Sequence, residues 1–198
     1  DFSTGIIADK KTSEQPSTPL SNKFYSTSQL SMSHGDFSGG LRYTYAKGGY
    51  TAGQQSFGDS GAKSAASASK HLNDINLAVN YAINDDISAT ATYGYTDMTI
   101  QSNDAKVKSS GWNIGILAKN VLSDGDKMGA AFGSLHNIHD SENTSYIEPG
   151  YNPYAYEAWY QRNITKNVYV KPYVFYLDDM NSKNDSNTGI GLLTGINF

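Results

Sequence analysis

Cysteine is absent from the 198 residues, which excludes a disulfide framework and any thiolate metal site but says nothing decisive about compartment. No run of 18 apolar residues exists, so no helix can span a membrane. Charge of either sign is scarce: 15 Lys+Arg stand against 19 Asp+Glu, and without a basic excess nucleic acid is a poor partner. No positively charged, apolar leader opens the chain, and the expectation is a mature or trimmed N-terminus at Asp1. Amphipathic helical stretches are missing as well. What is present is 12% aromatic residues, 15 of them Tyr, together with 19 Gly. That makeup collapses rather than staying disordered. The length suits one domain over residues 1–198, or one large piece of a barrel. A mean hydropathy that looks soluble also fits a transmembrane β-barrel, whose lumen-facing residues dilute the apolar signal.

Period 2 dominates. Ile75, Leu77, Val79, Tyr81 and Ile83 alternate with Asp74, Asn76, Ala78, Asn80 and Ala82, and after Asn84-Asp85-Asp86 the pattern resumes with Ile87, Ala89, Ala91, Tyr93 and Tyr95. Such alternation on both sides of a short polar turn is a β-hairpin, because the same residues on a helix would wind around every face. The unit recurs: Phe24–Met32 with Phe37–Tyr45 across 34–36, the strand from Trp112 with that from Met128 across 123–126, and Tyr154–Tyr160 with Val168–Tyr176 across 165–167. A final strand covers Gly189–Phe198, and a weak first one Asp1–Ala8.

Connections alternate between short turns and longer polar stretches at 48–70, 101–106, 137–152 and 178–187. Turns that are short at one end and long at the other mark an antiparallel up-and-down outer-membrane barrel, here of about ten strands with both termini at the short-turn end. With no helix to cover the apolar face, lipid is its natural partner. Tyr43, Tyr45, Tyr93, Tyr95, Trp112, Tyr154, Tyr156 and Tyr176 gather near strand ends, as membrane-interface aromatics do, although β-rich chains favour Tyr in any case.

Opposite those rings lie Arg42, Asp74, Asn76, Asn80, Asn113, Lys119, Glu157, Gln161 and Lys171, the candidates for lining a lumen. Both charge signs are represented, which favours neutral or weakly discriminated small hydrophilic solutes. In a narrow, plugged barrel the same residues would simply satisfy one another. Glu157 and Lys171 are placed to pair across the turn at 165–167, and Pro172 points to a bulge or a subunit-facing edge, although ordinary irregularity explains it better. Gly129, Gly133, Gly191 and Gly195 recur on one strand face, where they leave room for a neighbour's bulky side chain or for lumen space. His136, His139, Asp140 and Glu142 cluster at a long loop, with Asp178-Asp179 at another. His-x-x-His on irregular backbone is a weak metal signal, and polar loop filler explains it better. No phosphate loop or nucleophile elbow occurs, so neither an enzyme nor a cofactor is indicated.

The C-terminal half carries a family likeness. Trp112-Asn-Ile-Gly-Ile, Asp124-Gly-Asp-Lys-Met-Gly-Ala-Ala-Phe-Gly, Tyr156-Glu-Ala-Trp-Tyr, Ile164-Thr-Lys-Asn-Val-Tyr-Val-Lys-Pro-Tyr-Val-Phe and the terminal Phe198 follow in order. This resembles the end of outer-membrane porins of the cyanobacterial, surface-layer-homology type, related to carbohydrate-selective porins. The likeness covers about 107–198 and implies an integral outer-membrane location, passive diffusion of small hydrophilic solutes and a homo-oligomer, a trimer. It departs in lacking the cell-wall-binding segment and in having fewer strands than the roughly 16 of open porins. Residues 1–70 show no such likeness, so the family's constriction residues are not carried over to this sequence. The competing expectation is a plugged structural or recognition barrel that binds a partner through 48–70 and 137–152.

Overall fold

β-Branched and aromatic side chains at every second position hold a chain extended, because they pack best on a pleated surface. The computed structural model describes residues 2–8, 24–47, 69–142, 153–165, 167–178 and 186–196. Its strands are β1 (Phe2–Ala8), β2 (Phe24–His34), β3 (Phe37–Lys47), β4 (Ser69–Ala82), β5 (Ile87–Ile100), β6 (Lys106–Lys119), β7 (Lys127–Ser141), β8 (Tyr154–Asn163), β9 (Val168–Asp178) and β10 (Asn187–Ile196). They form one ten-stranded sheet in chain order, every neighbour antiparallel. This is the expected all-β, up-and-down architecture. Among the described residues β1 pairs with β2 alone and β10 with β9 alone.

Local chemistry sets the short turns. Gly35, with φ of 55°, closes the two-residue turn between His34 and Phe37. Asn84 Oδ1 accepts the N–H groups of Asp86 (2.9 Å) and Ile87 (2.8 Å), and Thr165 Oγ1 does the same for Asn167 (3.2 Å) and Val168 (3.1 Å). Between β6 and β7 the buried Asp126 carboxylate gathers the N–H groups of Val121 (2.7 Å), Leu122 (3.0 Å) and Ser123 (2.9 Å), and the Tyr160 hydroxyl donates to it at 2.7 Å. Burial pushes this carboxyl up, but the Tyr160 hydroxyl and the three N–H groups outweigh it and hold Asp126 below its usual range.

The long-loop end departs from expectation in several places. The stretch 101–106 is a tight turn, closed by Ile100 N–H on the Ala105 carbonyl (2.9 Å), with Asp104 at φ 53°. Residues 137–141 belong to β7, so His139 and Asp140 sit on a strand rather than a loop. Register shifts occur at Ser69/His71, Lys108/Ser109 and Ser110/Trp112. Pro172 produces no bulge: pairing of β8 with β9 keeps one register on either side of it, and only the rungs at Tyr160 and Gln161 are missing. The stretches 9–23, 48–68 and 143–152, Asp179, and the terminal Phe198 lie outside the described residues.

The sheet has two faces of opposite character. On one, Leu41, Ile75, Leu77, Tyr81, Ile114, Ile116, Met128, Val174, Ile190 and Leu192 are exposed, with no protein over them. An apolar surface of that extent is far larger than a water-soluble monomer tolerates. The alternation then inverts toward the long loops. There His71, Asn73, Asp97 and Lys108 continue the formerly apolar face, while Ala46, Leu72, Met98, Ile100 and Val107 are buried on the opposite one. Strands β4 to β6 are 14 residues long, more than the 9–11 or so that cross a bilayer. The surplus carries the inverted pattern, as expected for a sheet that leaves oil and enters water.

Candidate functional site

Register assigns each functional side chain to a face. Arg42 faces Asn76, Asn80 faces Thr90, and Thr90 faces Gly115, two residues from Asn113 and four from Lys119. Lys119 leads through Lys127 to Gln161, and Glu157 leads to Phe175, four residues from Lys171. All nine polar candidates therefore share the face opposite the exposed apolar belt. The eight candidate aromatics fall on the other face: Tyr43 and Tyr95 flank Ile75, Tyr93 pairs Trp112, Ser134 separates Trp112 from Tyr154, and Tyr156 pairs Tyr176.

Those rings form a girdle where the alternation inverts. Trp112 meets Phe132 edge-on (centroids 5.3 Å), Phe132 meets Tyr156 at 4.8 Å, and Tyr156 meets Tyr176 at 5.9 Å. Their neighbours on the loop side are polar. The Tyr43 hydroxyl donates to Asn73 Oδ1 at 2.7 Å, and Tyr45 shares a hydrogen bond with His71 Nδ1 at 2.9 Å. Tyr43 and Tyr45 thus turn their hydroxyls toward polar groups, the arrangement suited to a membrane–water boundary. Below the girdle an open groove of about 780 Å3 crosses the apolar face over Ala89, Ala91, Ala130 and Ala158, between Ile114, Ile116, Phe132 and Tyr156.

On the polar face the nine candidates do not form one cluster. Asp74 is buried and accepts from Thr96 Oγ1 (2.9 Å) and from Asn76 Nδ2. Thr44, in the same row, shares a hydrogen bond with Thr27 at 2.6 Å, and the row ends at Ser109, whose buried hydroxyl finds no partner among the described residues. Arg42, Lys119 and Glu157 are exposed; Asn80, Asn113, Gln161 and Lys171 are half-buried. Glu157 and Lys171 do not pair. Lys171 Nζ lies 3.9 Å above the Trp159 ring, and Glu157 sits opposite Phe175, four residues further along β9.

Aromatic side chains on this same face escaped the sequence reading. Trp159, Tyr169, Tyr173 and Phe175 stand opposite Gly129, Gly195, Gly191 and Gly189, and each ring fills the volume a Cβ on its glycine would need. Of the glycines singled out from the sequence, Gly129, Gly191 and Gly195 do receive a neighbour's bulky side chain. Gly133 instead allows close backbone approach, since a Cβ there would run into the Trp112 carbonyl and Asn113 Cα.

The histidine cluster disperses. His139 Nδ1 reaches Ser110 Oγ at 3.3 Å beside the Tyr95 ring, Asp140 pairs with Lys108 at 2.8 Å, and Glu142 accepts the Lys106 N–H at 3.0 Å. Among the described residues no group of three potential metal ligands converges; the His136 side chain lies outside them.

The carbohydrate-selective porin, OprB family, matches residues 25–198. Among solved structures, OmpT (in-vitro folded), an outer membrane protein of Vibrio cholerae, superposes with a TM-score of 0.60 at 11% identity, over 87% of this chain and 55% of that one. At that identity the likeness bears on the fold alone, and the chain spans about half the length of that structure. A comparison with curated proteins returns no match. A meander of antiparallel strands, apolar side chains bare of protein, an aromatic girdle and a match over most of the chain agree: this is an integral outer-membrane β-barrel protein, and it belongs to the carbohydrate-selective porin, OprB family.

Proposed function

We propose that the polar face lines a water-filled passage through which small hydrophilic solutes, carbohydrates foremost, diffuse down their gradient. The observation that carries this reading is parity. Arg42, Asn76, Asn80, Asn113, Lys119, Glu157, Gln161 and Lys171 all alternate with an apolar belt that stands exposed on the single chain. In lipid every backbone donor and acceptor needs a partner, and the ladder supplies them between neighbouring strands from β1 to β10, which leaves the outer edges of β1 and β10 to be joined in the closed barrel. Polar side chains then replace part of a solute's hydration, and a mixture of Arg, Lys, Asp and Glu gives little preference for either ion sign. No step of bond chemistry enters the proposal. The residues that would act are the eight above with Asp74, and the eight girdle aromatics set the depth in the bilayer.

The rest of the reading extends this one. Residues 1–198 act as a single barrel unit, the protein assembles as a trimer, and its branch of the family is the cyanobacterial, surface-layer-homology type suggested by the C-terminal blocks. A second reading has one observation in its favour. Leu72, Met98, Ile100 and Val107 are fully buried on the polar face near the long loops, as in a plugged recognition barrel. Conductance across a planar bilayer decides between them: discrete current steps are expected, whereas electrically silent insertion of folded protein would overturn the passage.

A further inference from the structure

The apolar face carries one charge that its protein surroundings do not satisfy. Along β8 the even positions Tyr156, Ala158, Tyr160 and Arg162 look out from that face, with Arg162 opposite Val170. Among the described residues it is the only Lys or Arg of this face in the short-turn half of the sheet, since Arg42, Lys119, Lys127 and Lys171 point the other way. Arg162 is exposed, and no described carboxylate lies within ion-pair reach of it: the two ion pairs are Lys70 with Asp104 and Lys108 with Asp140. Asp126, at the neighbouring turn, is buried and already takes three N–H groups and the Tyr160 hydroxyl. Apolar side chains frame the guanidinium, Val170 opposite it and the exposed Ile164 beyond it. At the margin of hydrocarbon a bare cation is costly until an anion meets it.

Two further features adjoin Arg162. Pairing of β8 with β9 skips Tyr160 and Gln161, where Pro172 has no N–H to give, so the ladder has a gap that polar groups from outside can serve. One outward position further along β8, Ala158 opens onto the apolar groove floored by Ala130, Ala89 and Ala91. Cation, ladder gap and apolar groove thus follow one another as phosphate, ester and acyl chain do in a phospholipid. The fork of a guanidinium matches two phosphate oxygens at once. We propose that Arg162 binds the phosphate of a phospholipid in the periplasmic leaflet, the leaflet that short turns face in such barrels, with one acyl chain lying in the groove over Ala158 and Ala130. The Tyr160 ring, tied to Asp126 at 2.7 Å, stands between headgroup and groove. Lipid rather than a second copy of the chain is the occupant, because the groove is continuous with the belt that meets hydrocarbon. The site requires only that this face meets lipid, so it is independent of whether the opposite face conducts.

The full chain, folded in detergent, is titrated with phosphatidylglycerol, and bound lipid is counted by native mass spectrometry. Saturable binding is expected, weakened about ten-fold in Arg162→Gln by the loss of a charge-assisted contact. Ala158→Phe, which fills the groove and leaves the cation, should weaken it as well. Diacylglycerol with the same chains but no phosphate should bind the parent about as poorly as phosphatidylglycerol binds Arg162→Gln. Unchanged affinity in folded Arg162→Gln overturns the site. If that variant does not fold, the parent decides: equal affinity for the two lipids overturns the site, and a preference for phosphatidylglycerol that Ala158→Phe diminishes sustains it. A parent that retains no lipid, and forms instead an oligomer that Arg162→Gln disperses, would assign the face to a second copy and overturn the lipid.

Discussion

On β4 to β6 the polar face is closed near the long loops by Leu72, Met98, Ile100 and Val107, packed until no water reaches them; on β8 to β10 the same face carries rings resting on glycines and half open to their surroundings. Both regions put carbon where the strand alternation calls for polar side chains. The first does so beyond the aromatic girdle, where the sheet's outer side meets water and its inner side must supply a core. The second does so level with the apolar belt, where the outer side already meets hydrocarbon and no core is required. The first region is therefore a source of stability and the second a surface.

That distinction can be broken most forcefully by cutting into the packed region. Met98→Ala removes a fully buried side chain, and by the usual cost of a large-to-small core change it should lower unfolding free energy by about 2–5 kcal/mol, read from urea titration in detergent. A loss below about 0.5 kcal/mol would mean the patch is not a core at all. A finer test compares two glycines. Gly133→Ala drives a Cβ into backbone and should cost about 1–3 kcal/mol, whereas at Gly191 the obstacle is the movable Tyr173 ring, and Gly191→Ala should cost less. Equal losses would show that the rings are as fixed as the core. The smallest effect lies at the turn end. Asp126 is held below its unfolded value, so its contribution is present above the unfolded carboxylate range and disappears as pH falls through the lower folded value. Asp126→Asn should therefore be less stable than the parent at about neutral pH, with the difference shrinking in acid as the parent carboxylate protonates; a gap that persists in acid would place the stabilisation elsewhere.

Much of this was legible from alternation alone. Ile75, Leu77, Val79 and Tyr81 announce their strand and face, and short turns at Asn84 and Thr165 announce the hairpins, because period and turn chemistry are local properties. The long-loop end was harder to read. His139 and Asp140 read as loop residues in the sequence because the shifts at Lys108/Ser109 and Ser110/Trp112 break the period that identifies a strand. The buried patch was hidden for another reason. Leu72 and Met98 keep the period of two while exchanging its sense, and only the position of the girdle tells which sense applies. The pairing of rings with glycines was invisible because it is a cross-strand fact: Gly189, Gly191 and Gly195 acquire meaning once register sets them against Phe175, Tyr173 and Tyr169.

The inversion has a mechanical consequence. Sliding the sheet two residues along its strands preserves which side every chain faces, yet it would move the girdle about 7 Å into oil and take Asp97 and Lys108 with it. Sliding the other way would lift Ile75 and its neighbours into solvent. The protein therefore carries its own depth gauge, a single height at which both halves of the pattern are satisfied, and it cannot bob in the bilayer without paying at one end or the other.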